Sequence, residues 1–382
     1  MKTFFSHVSE YIRNTDRWTW LLCLVLSGTS LIMIAGILQS GYAELLNINT
    51  RTFQVQCVAI AFGIICAIVL SRIDYLSLIR LWKLHVPFSY LFVVLTFVIG
   101  TGVPERVNDK RWIKVPFAGI TIQPAELLKI SFILILAYHL YKVHDRINQP
   151  LTVLGLCLHG AIPVVLIHFQ GDDGTAMLFA PIFLCMLFLA GISWKYIVAA
   201  VVGLIALLPV AWFFLLNNFQ KSRIITLLNQ STANPLGEYY QQYRAKYAIA
   251  SGGIRGKGIF VDSHIYVPEM HNDFIFAFLC ESLGFMGGLA IICIIIALSF
   301  KILANGRLAQ NLQGQMICAG VFAMIFFQSA VNIAMCLSLL PVIGNTLPFL
   351  SYGGSSVLTN YLGIGLALYT CTPQKHCSAN NK

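Results

Sequence analysis

One carboxylate stands where a polar stretch of the sequence runs into a long apolar one. Residues 267–277 read VPEMHNDFIFA, and Asp273 is the last ionisable residue before the apolar run begins. In a chain of which only 10% is charged, an ionisable side chain at such a boundary is costly and indicates a functional site. The alternative is a structural role, because Asp is a common N-cap of the helix that follows it. On this stretch alone both interpretations of Asp273 stay open.

A second candidate site lies at the start of another apolar run, where Arg111-Trp112 is followed by QPAELLK at residues 123–129. Pro124 suits the first turn of a helix. Glu126 and Lys129 are three residues apart, so they lie on one helix face and can form an ion pair. Such a pair either serves a function or simply neutralises itself inside the protein.

Two more polar segments complete the set of candidates. Asp172 and Asp173 lie in the turn QGDDGTA at residues 170–176. One of them can cap the next helix. The two together can bind a divalent cation, although two ligands do not define a metal site. Residues 347–356 (LPFLSYGGSS) place Ser351 and Tyr352 among prolines and glycines. Irregular backbone in an apolar chain is tolerated where it is buried in protein or lines a cavity.

The composition indicates which class of protein must position these groups. Of the 382 residues 58% are hydrophobic, and the mean hydropathy is +0.77. Soluble domains are about half apolar and a quarter charged, so the chain is predicted to be an integral membrane protein. Its net charge of +10 is divided among short loops, which favours membrane topology over nucleic-acid binding. Most of the cysteines lie inside apolar runs without a CxxC pair, so they predict neither disulfides nor a metal site.

Apolar runs of about 20 residues, the length that spans a bilayer, predict an all-α polytopic membrane protein. We expect about ten transmembrane helices, at residues 18–39, 53–71, 86–103, 124–142, 151–169, 175–193, 195–216, 274–300, 313–336 and 355–372. Lys and Arg in alternate loops place both termini in the cytoplasm, with tails at residues 1–17 and 373–382. Residues 1–382 thus form a single transmembrane domain, with one large extracytoplasmic loop, about 217–273, before the eighth span.

Two outer segments carry more positive charge than this topology favours. Residues 104–123 hold Arg106, Lys110, Arg111 and Lys114, and residues 217–273 hold six Lys and Arg side chains. Such charge suggests an anionic ligand such as a phosphate, although a long loop can translocate whatever its charge. On this topology the candidate groups all lie on the outer side and are predicted to face one outward-open cavity: Glu126, Lys129, Asp172, Asp273 and Tyr352.

Several of these motifs, in this order, resemble the SEDS family (shape, elongation, division and sporulation). PEMHNDFIF at residues 268–276 is similar to the family's PExHTDFIF, QPAELLK at 123–129 to its QPSExxK, and SYGGSS at 351–356 is identical to its motif. The chain departs from the family pattern at Gly171, Asp173, Ala125 and Asn272. Gln170 and residues 236–253 look more like the RodA type than the FtsW type, which favours cell elongation over division.

The resemblance implies a peptidoglycan glycosyltransferase of the bacterial plasma membrane. Such an enzyme joins lipid II units into a β-1,4 glycan at the outer face and releases undecaprenyl diphosphate. Its usual partner is a class B penicillin-binding protein, a single-span transpeptidase, within the elongation or division machinery. We expect Asp273 to act as general base. The expected substrate-binding residues are Arg111, Trp112, Gln123, Glu126, Lys129, Asp172, His271, Ser351 and Tyr352.

Within that expected site, Arg111 and Lys129 face the departing diphosphate, and Glu126 orients Lys129. Trp112 stacks on a sugar or packs against lipid. Asp172 positions substrate or, together with the diphosphate, holds a divalent cation such as Mg or Mn. Two alternatives remain: a lipid II flippase, for which Glu281 and His159 inside predicted spans suit a pathway, and a non-catalytic scaffold for a penicillin-binding protein, in which Asp273 is dispensable.

Overall fold

The computed structural model describes residues 11, 15–102, 109–115, 120–216, 218–229 and 239–371, and its described part is mostly helical. In chain order the helices are α1 (Arg17–Gln39), α2 (Thr50–Leu70), α3 (Tyr75–Arg80), α4 (Trp82–Ile99), α5 (Pro124–Lys142), α6 (Pro150–Phe169), α7 (Asp173–Leu189), α8 (Trp194–Val210), α9 (Asn218–Leu228), α10 (Tyr240–Ser251), α11 (Ile275–Gly306), α12 (Leu312–Cys336) and α13 (Gly354–Cys371). A π-helical turn, Ala211–Leu215, extends α8. Two short strands, β1 (Ile113–Lys114) and β2 (Thr121–Ile122), pair antiparallel between α4 and α5.

Each of the ten predicted spans coincides with a helix, with boundaries that differ by a few residues. Among the described residues, eight helices are long and apolar enough to cross a membrane, which establishes a multi-pass membrane protein. The remaining two predicted spans correspond to α7, with 17 residues, and α13, with 18 residues. Ten crossings and cytoplasmic termini stay predictions, and most of both predicted tails lies outside the described residues.

The bundle has a buried centre and an apolar periphery. Helix α12 contacts α5, α7, α11 and α13, and α2 packs along α13. Within the apolar stretch of each helix that is long enough to cross a membrane, 72% of the residues are buried in α5 and in α12, whereas 11% are buried in α4. An apolar helix that is exposed on the protein surface is expected to face lipid. The candidate ion pair of Glu126 and Lys129 at the start of α5 therefore belongs to the protein interior.

A kink at Gly284 divides α11 into a short first part and a long second part, because the backbone there is non-helical (φ 71°, ψ −172°). The kink breaks the regular hydrogen bond between Glu281 O and the Phe285 amide. Phe285 N donates to Gly253 O at 2.8 Å instead, and Glu281 O accepts from Lys257 N at 3.0 Å. The glycine-rich segment after α10 therefore satisfies the backbone of α11 and fixes the short helix that follows Asp273.

The structure adds detail to two of the segments that the sequence singled out, the loop 217–273 and the irregular segment before α13. The predicted loop 217–273 contains two helices, α9 and α10, and residues 230–238 lie outside the described part. The expected irregular segment lies between α12 and α13, with positive φ at Ser338, Gly344 and Phe349. Much of this segment is buried, which agrees with irregular backbone being enclosed by protein.

Candidate active site

Asp273 lies at the start of the short first part of α11. The N-cap of α11 is Phe274, which makes no side-chain cap, so Asp273 stands one residue before the helix cap. Its carbonyl accepts a hydrogen bond from Asn332 Nδ2 at 2.7 Å. The same Asn332 amide group donates to Asn345 O at 2.5 Å. Asn332, near the end of α12, thereby joins the backbone at Asp273 to the irregular segment before α13.

Arg111 is the centre of a cluster of carboxylates. Its Nε and Nη2 donate to the two oxygens of Asp109 at 2.6 and 2.5 Å, and its Nη1 lies 3.7 Å from Asp172 Oδ1. Burial alone lowers the pKa of the Arg111 guanidinium, but the Asp109 hydrogen bonds and the charges of Asp172, Asp109 and Asp273 raise it above its usual value. Arg111 is therefore a permanent cation beside three carboxylates.

The charged ends of Asp273 and Arg111 meet beside Gly344. A Cβ atom built on Gly344 would lie 3.6 Å from Asp273 Oδ2 and 3.9 Å from Arg111 Nη1. Within the described part of the chain, and apart from the neighbours of Gly344 in sequence, no other heavy atom comes within 4 Å of that point. Gly344 has φ +68°, a conformation that glycine adopts without strain. The glycine thus leaves open space next to a potential base and a cation.

The two adjacent carboxylates of the α6–α7 turn have separate partners. Asp172 is buried, caps α7 through Thr175 N at 3.2 Å, and accepts from Gln123 Nε2. Asp173 is 40% exposed at its side chain and accepts from His168 Nδ1 at 2.6 Å and from Gln220 Nε2 at 2.7 Å. Only Asp172 therefore belongs to the cluster around Arg111, and both the capping and the positioning interpretations apply to it.

The predicted ion pair between Glu126 and Lys129 is present and buried. Lys129 Nζ lies 2.8 Å from Glu126 Oε1 and donates to Gln328 Oε1 at 2.9 Å. Gln328 Nε2 in turn donates to Thr346 O at 3.1 Å and to Thr346 Oγ1 at 3.0 Å. Lys129 is fully buried, so it lies in the bundle interior and does not face an open cavity. Its contacts reach the irregular segment two residues after Gly344.

The remaining predicted site residues bring the irregular segment against the stretch before α11. Tyr352 N donates to His271 O at 2.9 Å, and the two rings are 5.8 Å apart. Ser351 Oγ donates to Asn272 O at 2.6 Å. Burial lowers the pKa of the His271 imidazole, which a nearby Glu269 charge partly offsets. His271 is therefore neutral near neutral pH.

Trp112 lies against the face of the Arg111 guanidinium, whose Cζ is 4.6 Å from the ring centroid. This is a cation–π contact. Gln123 contacts the same cluster, because its side-chain Nε2 donates to Asp172. The backbone amide of Gln123 donates to Ser355 Oγ at 3.0 Å. The structure thus brings Arg111, Trp112, Gln123, Asp172 and Asp273 around one place, with His271, Ser351 and Tyr352 on the adjoining backbone.

Asp109 and Gln328 are among the residues of this arrangement that sequence reasoning overlooked. Asp109 and Arg111 are two residues apart, and an extended chain places such residues on the same side, so that spacing was an available signal. Gln328 lies within an apolar stretch of α12, nearly two hundred positions from Lys129. Only the packing of α12 against α5 brings it there, and no local pattern indicates that contact.

The residues that the structure describes do not by themselves form a site for a metal ion. No group of three or more His, Cys, Asp or Glu side chains suited to a metal ion occurs in the part of the chain that the structure describes. Asp172 and Asp173 are directed to different partners. A divalent cation that accompanies a substrate diphosphate stays a prediction, and no chemical step is derived through it.

Two groups that suited a transport pathway have structural partners instead. Glu281 in α11 accepts from Lys257 Nζ at 2.6 Å and from Ile265 N at 2.9 Å, and so ties the segment after α10 to that helix. His159 in α6 shares a hydrogen bond of 2.9 Å with His139 in α5. These contacts connect neighbouring elements of the fold.

The fold and the site define a multi-pass membrane protein with a buried charged cluster at the ends of α5, α7, α11 and α12. A family profile described as "Cell cycle protein", for FtsW, RodA and SpoVE, matches residues 16–375. The peptidoglycan glycosyltransferase MrdB of Escherichia coli K12 is 34% identical over 325 residues, which cover 84% of this chain and 85% of MrdB. The probable peptidoglycan glycosyltransferase FtsW of Trichlorobacter lovleyi is 30% identical over 354 residues, 91% of each chain.

Solved structures show the same fold. A chain of a peptidoglycan synthase complex has a TM-score of 0.76 at 24% identity and covers 93% of this chain and 97% of its own. The rod shape determining protein RodA of Thermus thermophilus has a TM-score of 0.67 at 21% identity and covers 94% of this chain and 98% of its own. The protein belongs to the SEDS family of FtsW, RodA and SpoVE, as its motifs predict.

Proposed function

We propose that this protein is a peptidoglycan glycosyltransferase that polymerises lipid II into β-1,4 glycan strands. The observation that carries the proposal is the meeting of Asp273 Oδ2 and Arg111 Nη1 beside Gly344. A carboxylate and a fixed cation that border one small space suit a reaction that removes a proton and expels an anion. The names of the relatives MrdB and FtsW support the same activity.

Asp273 acts as the general base in this proposal. The 4-hydroxyl oxygen of the acceptor sugar bonds to the anomeric carbon of the donor while the bond from that carbon to the diphosphate breaks. The hydroxyl proton passes to Asp273, and the electron pair of the broken bond leaves with undecaprenyl diphosphate. A single displacement converts an α-linked diphosphate into a β-linked glycan and inverts the configuration.

Arg111 stabilises the charge that develops on the departing diphosphate. A buried guanidinium already fixed by neighbours needs little reorganisation when that charge appears. Asp172, Gln123, Trp112, His271, Ser351 and Tyr352 bind or position the substrate. Lys129 is enclosed between Glu126 and Gln328, so we assign to it the support of the segment at Thr346 and not direct contact with the diphosphate.

The cellular setting follows from the same proposal. The protein acts at the outer face of the bacterial plasma membrane, where it works with a class B penicillin-binding protein. A neighbour in fold that belongs to a peptidoglycan synthase complex supports such a partner. The 34% identity to MrdB and the Gln170 turn favour a role in elongation and cell shape over division. A divalent cation, Mg or Mn, enters as a counterion of the substrate diphosphate.

The purified protein reconstituted in vesicles with labelled lipid II, with and without its transpeptidase partner, tests the activity. We expect glycan chains to accumulate. One molecule of undecaprenyl diphosphate should be released for each glycosidic bond that forms. A parallel measurement follows the movement of labelled lipid II across the vesicle membrane. Transport of lipid II without any polymer, with the partner shown to be bound, would contradict the proposal and favour a flippase.

A further inference from the structure

We propose that Asp109 is a positioning residue, which fixes the guanidinium of Arg111 so that its Nη1 points toward Asp172 and Asp273. The inference rests on the proposed glycosyltransferase function, since it concerns the cation that receives the diphosphate. Asp109 does not itself touch the place beside Gly344 at which Arg111 and Asp273 meet. It acts through Arg111 alone.

The geometry of the ion pair determines which nitrogen of Arg111 remains for the site. Asp109 Oδ1 accepts from Nε at 2.6 Å and Asp109 Oδ2 accepts from Nη2 at 2.5 Å, so the carboxylate binds one whole edge of the guanidinium. A bidentate pair of this kind fixes orientation as well as distance. The nitrogen that remains, Nη1, lies 3.7 Å from Asp172 Oδ1 and faces the space beside Gly344.

The backbone that carries Asp109 is itself held in place. Thr101 N donates to Trp112 O at 2.7 Å and Trp112 N donates to Thr101 O at 3.0 Å, immediately after Arg111. Lys110 N donates to Gln170 O at 3.2 Å, which joins the segment to the turn before α7. Gly102 lies so close to the Asp109 carbonyl that an added Cβ would overlap it. Asp109 therefore offers its carboxylate from a rigid position.

Burial makes the positioning effective. Asp109 and Arg111 are 7% and 6% exposed, so water competes little for their hydrogen bonds. Without the Asp109 charge, the guanidinium is drawn toward the remaining carboxylates, Asp172 and Asp273. We expect that shift to move the cation away from the place where the diphosphate charge develops and to engage the proposed base.

Asp109→Asn tests this role, with Asp145→Asn as the matched control, because Asp145 is an exposed carboxylate in the short 3-10 helix after α5. Rates are expressed per mole of folded protein. Gel filtration and thermal unfolding in detergent measure the folded fraction of each variant. We expect Asp109→Asn to lower kcat by roughly ten- to a hundredfold with little change in KM, and Asp145→Asn to match the wild type. If Asp109→Asn does not fold, Asp109→Glu replaces it, since a carboxylate on a longer arm keeps the charge and displaces the guanidinium.

An Arg111→Lys background distinguishes positioning from a general structural effect. Lys cannot form the bidentate contact, so the Asp109 substitution should lower kcat there by less than about threefold. The same loss in both backgrounds, or a wild-type kcat for Asp109→Asn alone, would overturn the inference. Absence of polymer from the wild-type protein would instead refute the proposed function, and the two failures are thereby distinguished.

Discussion

Arg111 Nη1 and Asp273 Oδ2 both lie within 4 Å of the position that a side chain on Gly344 would occupy. The three residues come from separate parts of the chain: the segment after α4, the stretch before α11 and the irregular segment between α12 and α13. Asn332 fixes two of these parts together through its hydrogen bonds to Asp273 O and Asn345 O. The site is thus a property of the assembled bundle, and a small change in any one segment alters the space beside the base and the cation.

Gly344→Ala tests whether that space is used. The added methyl group would lie 3.6 Å from Asp273 Oδ2 and 3.9 Å from Arg111 Nη1 and would occupy space beside both, so we expect kcat for glycan synthesis to fall at least about tenfold. Gly191→Ala is the control, because Gly191 also has positive φ (+88°) but nothing described lies within 4 Å of its Cβ position. Both variants should lose about 1–2 kcal/mol of stability, because a residue with a Cβ atom is strained at positive φ. Equal activities of the two variants would show that the space beside Gly344 is not part of the site.

Lys129→Met tests the buried network of α5 and α12. It leaves Glu126, which is 4% exposed, without its cation, so we expect the free energy of unfolding to fall by about 3–5 kcal/mol. The double variant Glu126→Gln with Lys129→Met removes both charges and should recover most of that loss. Thermal unfolding in detergent measures both. If the double variant is no more stable than Lys129→Met, the ion pair is not the source of the effect.

The stability of the protein should depend on His271 at mildly acidic pH. Burial lowers the pKa of the folded-state imidazole below the value of about 6.5 that it has in an unfolded chain. Between those two pKa values the unfolded state binds more protons, so this stabilising contribution is present above about pH 6.5 and is lost as the pH falls through the folded-state pKa. Unfolding measured from about pH 8 to pH 5 should show a smaller decrease for His271→Gln than for the wild type. Identical pH dependence in the two proteins would contradict the assignment.

The sequence predicted the architecture well because each long helix has its own local signal. Runs of apolar residues that end at Gly191 or begin at Pro124 determine where a helix can lie, whatever its neighbours are. The ion pair of Glu126 and Lys129 was predictable for the same reason, since helix geometry alone places residues three apart on one face. Helix α9 was not predicted, because this segment is too short and too polar to be distinguished from a loop by its sequence.

The arrangement of the site was only partly predictable. Asp172 and Asp173 look equivalent in sequence, but the helix start directs one toward Arg111 and the other toward His168. Lys129 was predicted to face the diphosphate, and no local pattern indicated that α12 places Gln328 against it. Contacts between distant parts of the chain decide both outcomes, and a single sequence contains no local pattern that reports them.

The most direct test of the account compares Asp273→Asn with Asp145→Asn in the polymerisation of lipid II. Asn keeps the size of the Asp273 side chain but cannot accept the hydroxyl proton, so we expect kcat to fall by about a hundred- to ten-thousandfold. The exposed control should retain wild-type activity, and both variants should unfold at temperatures close to that of the wild type. Well-folded Asp273→Asn that makes glycan strands at the wild-type rate would contradict the central claim that Asp273 is the base.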